Sequence, residues 1–374
     1  MDSAHTPAKN GQSKPTFESE KMNTQILQKG TTFARMAIAR ALAHGDPSTV
    51  HALAASRWGA NSAVADLLLK SAVGGGTTTS LSELAGTRQA VVEFLEVVRP
   101  MTILGKLAGL RRVPVNTPYV ALSTGATAYW TAQGRATPVS ATAFDRETMT
   151  SLKIAALVVL AKELLESADP MAEDLIRRDL ARAVAELSDR SFIDADNGGI
   201  AGEMPASVTN AAATIAATTD FADDLAAALD AFAGDLETAA WVMSPKLAAK
   251  LGLRAGGRGA AADLGARGGS LAGLPAIVSA ACQPSSDGYS ITLLDAGSIC
   301  TVDEGAELAL SRQATVEMDS APTGDTTTPA ASTTAMVSLF QTDSVGLIVT
   351  RRMNWKLARA GSVVCITGAS YEGV

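Results

Sequence analysis

From Tyr119 to Leu160 the chain is written in small, β-branched and polar residues, punctuated by Gly125, Gly134 and Pro138. Such a stretch reads as extended chain, because β-branched side chains suit a pleated strand while glycine and proline interrupt helices. The expectation is a long hairpin, with residues 148–159 as one strand, 129–131 as part of the other, and 133–144 as a turn-rich excursion between them. At ~3.3 Å per residue, a leg of about 15 residues reaches roughly 50 Å, beyond the radius of a compact domain. An arm of that reach needs a partner to cover it.

The segment that follows carries the strongest helix signal. Asp169 is placed to cap, Pro170 suits the first turn, and Glu173 and Asp174 sit where the helix dipole favours negative charge. Ala172, Leu175, Ile176, Leu180, Ala183, Val184 and Leu187 recur at helical spacing and are expected to face the core. Glu173 with Arg177, Asp174 with Arg178, and Glu186 with Arg190 are i,i+4 pairs on the remaining surface. The helix should stop before Asn197-Gly198-Gly199, and residues 170–193 at ~1.5 Å each make a rod of about 36 Å. Read by itself, it is an ordinary core helix with a solvated face.

Elsewhere helices and strands mix without a regular βαβ order or an internal repeat, so the class is α+β. Helices are expected over 31–44, 48–58, 61–72, 221–233 and 245–253; strands over 239–243, 276–280, 291–294, 308–310, 335–342 and 345–352. Gly74-Gly75-Gly76-Thr77-Thr78-Thr79-Ser80 reads as a flexible joint after the first three helices. Charge changes across it: residues 1–80 hold eight basic against five acidic side chains, and residues 81–374 hold 23 against 33.

Composition and residue placement narrow the function. With 47% hydrophobic, 18% charged and only 4% aromatic residues, the chain is a folded, mildly acidic protein whose core must be mostly Ala, Val, Leu and Ile. A pI near 5.1 disfavours a general nucleic-acid binder. The longest wholly apolar run, residues 154–161, falls far short of the ~20 a membrane helix needs, and residues 1–14 lack the apolar stretch of an export signal. The expected site of synthesis and assembly is the cytoplasm, with no membrane partner. The histidines are His5, His44 and His51, so the rest of the chain holds no imidazole for Ser/His/Asp or Cys/His catalysis or for a zinc site. Cys282, Cys300 and Cys365 lack CxxC spacing and read as buried free thiols. The glycine-rich stretch 256–270 contains neither GK[ST] nor GxGxxG and reads as a mobile surface loop instead of a phosphate cradle. Carboxylate neighbours such as Asp223 with Asp224 and Asp303 with Glu304 have nothing to separate them from helix starts and turns. The expectation is no enzyme, no cofactor and no metal.

Four strings resemble the major capsid proteins of tailed bacteriophages with the Hong Kong 97 type fold, of the class sometimes fused to a prohead protease. They are YWTAQGRATPVSATAFDRETMTSLKIAALVVLAKELLESADP from Tyr129, MAEDLIRRDLARAVAELSDRSFID from Met171, WVMSPKLAAKL from Trp241, and the ending FQTDSVGLIVTRRMNWKLARAGSVVCITG. The resemblance implies an N-terminal arm over 81–128, an extended E-loop over 129–160 and a peripheral domain over 161–207 with its spine helix. It implies an axial domain over 208–330, peripheral return strands over 331–360 and an axial C-terminus over 361–374. It implies copies of the chain forming hexamers and pentamers of an icosahedral shell in the virion, with a portal protein, a prohead protease or scaffold, and packaged double-stranded DNA held by weak contacts. A nanocompartment shell of the encapsulin type, enclosing cargo enzymes, is the alternative with the same fold.

Residues 1–80 resemble the segment that separates protease from coat domain in some relatives. With no protease ahead of it here, the segment is expected to act as a helical pro-region cut near Gly74, Gly75, Gly76 and Thr77 by a separately supplied enzyme; retention as an ordered extension is the other reading. The resemblance also marks Trp130, Arg135, Phe144, Arg146 and Lys153 as inter-subunit contacts, and Glu173, Arg177, Arg178 and Arg182 as the charged face of the spine helix. Some members of the family lock subunits through an E-loop lysine, yet no lysine lies between Lys106 and Lys153, so covalent locking is not expected.

Overall fold

Two large sheets, of four and six strands, and two two-stranded ones organise the described residues. The computed structural model describes residues 31–43, 47–72, 92–124, 129–133, 135–136, 139, 143–163, 170–255, 259–282, 288–311, 313–318 and 336–371. Its helices are α1 (Thr31–Leu42), α2 (Pro47–Trp58), α3 (Ala63–Ala72), α4 (Ile103–Lys106), α5 (Pro170–Ile193), α6 (Phe221–Ala231) and α7 (Pro245–Ala255), with a further helical stretch over 92–98. The strands are β1 (Arg111–Arg112), β2 (Pro118–Thr124), β3 (Ala143–Thr148), β4 (Leu152–Ala161), β5 (Ala213–Ala216), β6 (Ala239–Met243) and β7 (Gly269–Leu271). Then come β8 (Leu274–Val278), β9 (Tyr289–Asp295), β10 (Ile299–Ser311), β11 (Thr315–Glu317), β12 (Met336–Ser338), β13 (Ser344–Leu357) and β14 (Val363–Ala369).

The first sheet has the order β1-β10-β13-β4. Alternation along β4 turns Ile154, Ala156, Val158 and Leu160 toward the core and leaves Lys153, Ala155 and Leu157 outside. The same period in β13 buries Val345, Leu347, Val349, Arg351, Met353 and Trp355. Over this face lies α5, and with it α1: Phe33 stacks on Phe94 at 4.5 Å, and both share a cluster with Leu180, Val184 and Leu347. The N-terminal helices therefore pack into the core beneath α5.

The second sheet runs β5-β14-β9-β6-β8-β7, with β5, β14 and β9 on one side of β6 and β8 and β7 on the other. All five residues of β6 are buried. Ala239, Trp241 and Met243 enter one apolar cluster, and Ala240 and Val242 another. A strand covered on both faces needs no polar side, so AAWVM reads as an unbroken apolar run. The second of these clusters is the seam between the sheets, where Phe192 of α5 meets Trp355 of β13 edge to face at 5.5 Å.

Four expectations need correction. The hairpin is built from β2 and β3, paired from Pro118↔Thr148 to Thr124↔Ala143, whereas residues 129–131 form no strand and β4 joins the first sheet against β13. The strand read at 308–310 begins at Ile299 and lies in the first sheet, not with the rest of the segment from 208 to 330. A bulge between Asp303 and Gly305 had hidden its periodicity. The glycine-rich stretch is partly a built turn: residues 259–261 are 3-10 helix, and the backbone of Asp263 approaches Gly269, at φ +145°, too closely for any side chain.

The fourth correction concerns the face of α5. Leu180, Ala181, Val184, Ala185, Ser188, Asp189 and Phe192 are buried, while Leu175, Ala183 and Leu187 face outward. The helix is turned so that two polar residues reach the interior, where Ser188 Oγ donates to Met353 Sδ at 3.6 Å and Asp189 meets directed partners. The expected caps and pairs at Asp169, Glu173, Asp174 and Arg177 lie outside the described side chains.

Candidate functional site

The base of the β2–β3 hairpin is fixed by a small cluster. Tyr119 and Glu147 stand opposite each other in the ladder, and Tyr119 donates from its hydroxyl to Glu147 Oε2 at 3.1 Å. Lys356 Nζ, on β13, donates to Glu147 Oε1 at 2.6 Å. Tyr119, Met149, Cys300 and Val302 bury one another beneath this pair. Burial, the Cys300 sulfur and the Glu147 carboxylate together push the Tyr119 phenol well above its usual range, so the hydroxyl stays a donor. Asn354 Nδ2 ties the far side by donating to Thr150 O at 2.6 Å.

Beyond that base the described side chains are exposed. Trp130 is fully exposed, Val139 almost so, and Tyr129 half so. Of the expected contact residues, Arg135, Arg146 and Lys153 are also exposed, and the side chain of Phe144 lies outside the described residues. Arg352 stands beside Lys153 in the ladder and pairs across the sheet with Glu307 at 3.5 Å. On α5, Arg178 is exposed and Arg182 pairs with Glu186 at 3.9 Å. Leu175 and Leu187, 66% and 47% exposed, lie on its outer face. The expected joint at Gly74, Gly75, Gly76 and Thr77 lies outside the described residues.

Sequence reasoning missed one interior group. Asp189 accepts from the Ile103 amide at 2.8 Å and from Ser279 Oγ at 2.6 Å, linking α5, the start of α4 and the loop after β8. Lys106 completes the junction by donating to Val278 O at 2.9 Å. Burial raises the Asp189 carboxyl to about 6, against the lowering effect of Ser279, Ile103, Lys106 and Arg351. Its two hydrogen-bond partners come from the two elements that α5 meets at this junction. The cysteines are free and buried as read, and burial pushes the Cys282 thiol up to about 12. Among the described residues no group of His, Cys, Asp or Glu side chains is arranged to hold a metal ion, and no helix is long and apolar enough to cross a membrane.

Comparison with known proteins follows the same outline. A family model described as "Phage capsid family" matches residues 88–368. The chain is 35% identical over 372 residues to a "Capsid polyprotein" of Pseudomonas phage PAJU2, an alignment covering 93% of this chain and 55% of that one. It is 31% identical over 110 residues to a "Major capsid protein" of Klebsiella oxytoca phage phiKO2, covering 29% of this chain and 26% of the relative. The chain thus spans about half, or less, of the length of these relatives. A solved structure from Gordonia phage Cozz superposes with a TM-score of 0.50 at 14% identity, over 72% of this chain and 85% of that one.

Proposed function

The chain belongs to the phage capsid family and has its Hong Kong 97 type fold, and on that premise we propose that it is the major capsid protein of a tailed bacteriophage or prophage. Copies associate as hexamers and pentamers into an icosahedral shell around packaged double-stranded DNA. The observation that carries this reading is the hairpin: a built base, then a far end whose Trp130 is fully exposed. Burying such a side chain on a neighbour contributes ~1.5 to 3 kcal/mol. The role is structural, with no catalytic step.

In this reading the first sheet with α5 is the peripheral domain, the second sheet with α6 and α7 is the axial domain, and β2–β3 is the E-loop. The described residues 92–117 belong to the arm that leads to it. A portal protein and a prohead protease or scaffold act during assembly in the host cytoplasm, and the DNA is held by weak, non-specific contact. Residues 1–80, whose described helices share a cluster with α5, act as a scaffolding element until a protease cuts near Gly74, Gly75, Gly76 and Thr77. N-terminal sequencing of mature particles tests this step: a start between residues 70 and 88 supports it, and recovery from Met1 or Asp2 means a retained extension. Negative-stain microscopy of the purified full chain tests the main reading. Closed, regular shells are expected; dispersed single subunits under all assembly conditions would overturn it.

A further inference from the structure

A second surface feature concentrates positive charge on an otherwise acidic body. Between the turn at Arg99–Met101 and the β1–β10 edge of the first sheet lies a cleft of about 210 Å³, lined by Arg99, Arg112 and Arg351, by Leu104 and Met353, and by Asp303. Arg351 comes from the core face of β13 and is 4% exposed, buried between Val349 and Met353. Its Nη2 lies 3.1 Å from Asp303 Oδ2, and among the described residues its Nε and Nη1 have no hydrogen-bond partner. Arg99 shares the same carboxylate oxygen at 3.9 Å. Asp303 Oδ1 is committed to the Gly305 amide at 3.2 Å, within the bulge of β10.

Two guanidinium groups, Arg351 and Arg99, therefore share one carboxylate, and a third, Arg112, lines the same cleft. A buried cation left short of negative charge and of hydrogen-bond acceptors is costly, and the field of such a site falls when a second anion enters. Asp189 faces Arg351 from behind, on α5, but its own bonds go to Ile103 and Ser279. The cleft is too small for a duplex backbone and has room for one side chain. Since residues 81–374 carry 33 acidic against 23 basic groups, the surface a neighbouring copy brings is on average acidic.

We propose that this cleft receives one Asp or Glu carboxylate from a second copy of the chain. The proposal rests on the shell-forming reading above and names a contact within it, separate from the hairpin. The entering carboxylate sits between Arg99 and Arg112 at the mouth, with Arg351 supplying the field behind them, an arrangement that favours correct register between subunits.

Two full-chain variants test it. Arg99→Glu with Arg112→Glu changes exposed side chains, so the thermal midpoint and circular dichroism of dissociated subunits should stay near wild type while the yield of closed particles falls at least tenfold. In Arg112→Lys particles assembled from a mixture of 14N and 15N subunits, a carbodiimide should couple the introduced amine to a carboxylate. Mass spectrometry should show a mixed-isotope peptide pair that is absent from dissociated subunits. Normal particle yield from the double variant, or coupling only to Asp303 of the same copy, would overturn the proposal. So would a phosphate-dependent rise in the midpoint of wild-type subunits that the double variant lacks, together with unchanged assembly, since the occupant would then be a free anion. Failure of the wild-type chain to close particles would instead sink the shell reading.

Discussion

Strand β6 and the β2–β3 hairpin are both regular β structure, yet they are satisfied in different ways. Every residue of β6 is buried, flanked by β8 and β9 and covered on both faces by the chain's own apolar clusters. The hairpin is anchored at Tyr119 and Glu147, and past Arg146 its described side chains face solvent. One strand completes the subunit; the other leaves it incomplete. In the reading proposed above, folding and association belong to separate parts of one chain, and each is expected to be open to disturbance without the other.

The largest effect should come from cutting the far end of the hairpin. Replacing Gln133–Asp145 with a short Gly/Ser turn is expected to abolish closed shells in electron micrographs while circular dichroism retains near-normal helix content. Closed particles from this variant, or a chain that fails to fold, would break the comparison. Next in size is the contrast between two tryptophans. Trp241→Ala removes a fully buried side chain from β6 and should cost about 3 to 5 kcal/mol in urea melts of the dissociated subunit. Trp130→Ala, at a fully exposed position, should change the same melt by less than about 0.5 kcal/mol while lowering particle yield.

Asp189 gives a smaller effect with a defined pH signature. Its carboxyl is raised by burial from 3.8 to about 6 in the folded chain, so the native state binds the extra proton between those values. Its contribution to stability is therefore fullest below pH 3.8 and is lost as pH rises through about 6, a change of roughly 3 kcal/mol. Asp189→Asn keeps an acceptor for the Ile103 amide and should flatten the dependence of the urea midpoint on pH between 4 and 6. An unchanged slope would remove the group from the balance. The smallest effect is expected at the hairpin base. Glu147→Gln weakens a partly exposed pair with Lys356, worth about 0.2 to 1 kcal/mol, and should speed amide exchange in β2 and β3 while leaving β6 untouched.

Much of this architecture was legible in the residues. The limits of α5 follow from Pro170 at its start and the glycines after Asn197, and β6 declares itself as a short apolar run closed by Ser244-Pro245. What escaped was decided by partners distant in sequence. Leu175 and Leu187 look as apolar as Leu180, and only the acceptors required by Ile103 and Ser279 reveal why Asp189 points inward in their place. The outgoing hairpin leg was misplaced because a strand's texture does not name its partner, and residues 118–124 read much like 129–131. The arginine cleft was beyond reach, since Arg99, Arg112 and Arg351 meet only after β13 has crossed the sheet beside β10.

The hairpin's attachment has a mechanical consequence. With its base held at Glu147 between Tyr119 and Lys356, at Thr150 by Asn354 and by the apolar cluster beneath, and with its described side chains beyond Arg146 exposed, the hairpin is a lever whose fulcrum is that base. A six-residue strand is ~20 Å long, so a tilt of about 10° at the fulcrum sweeps its far end through roughly 3 to 4 Å. Neither β2 nor β3 belongs to the four- or six-stranded sheet, so such a swing breaks no pairing in either. In the shell proposed above, differences in inclination between neighbours are expected to be taken up by rotation at this base, with the same two sheets serving at every position.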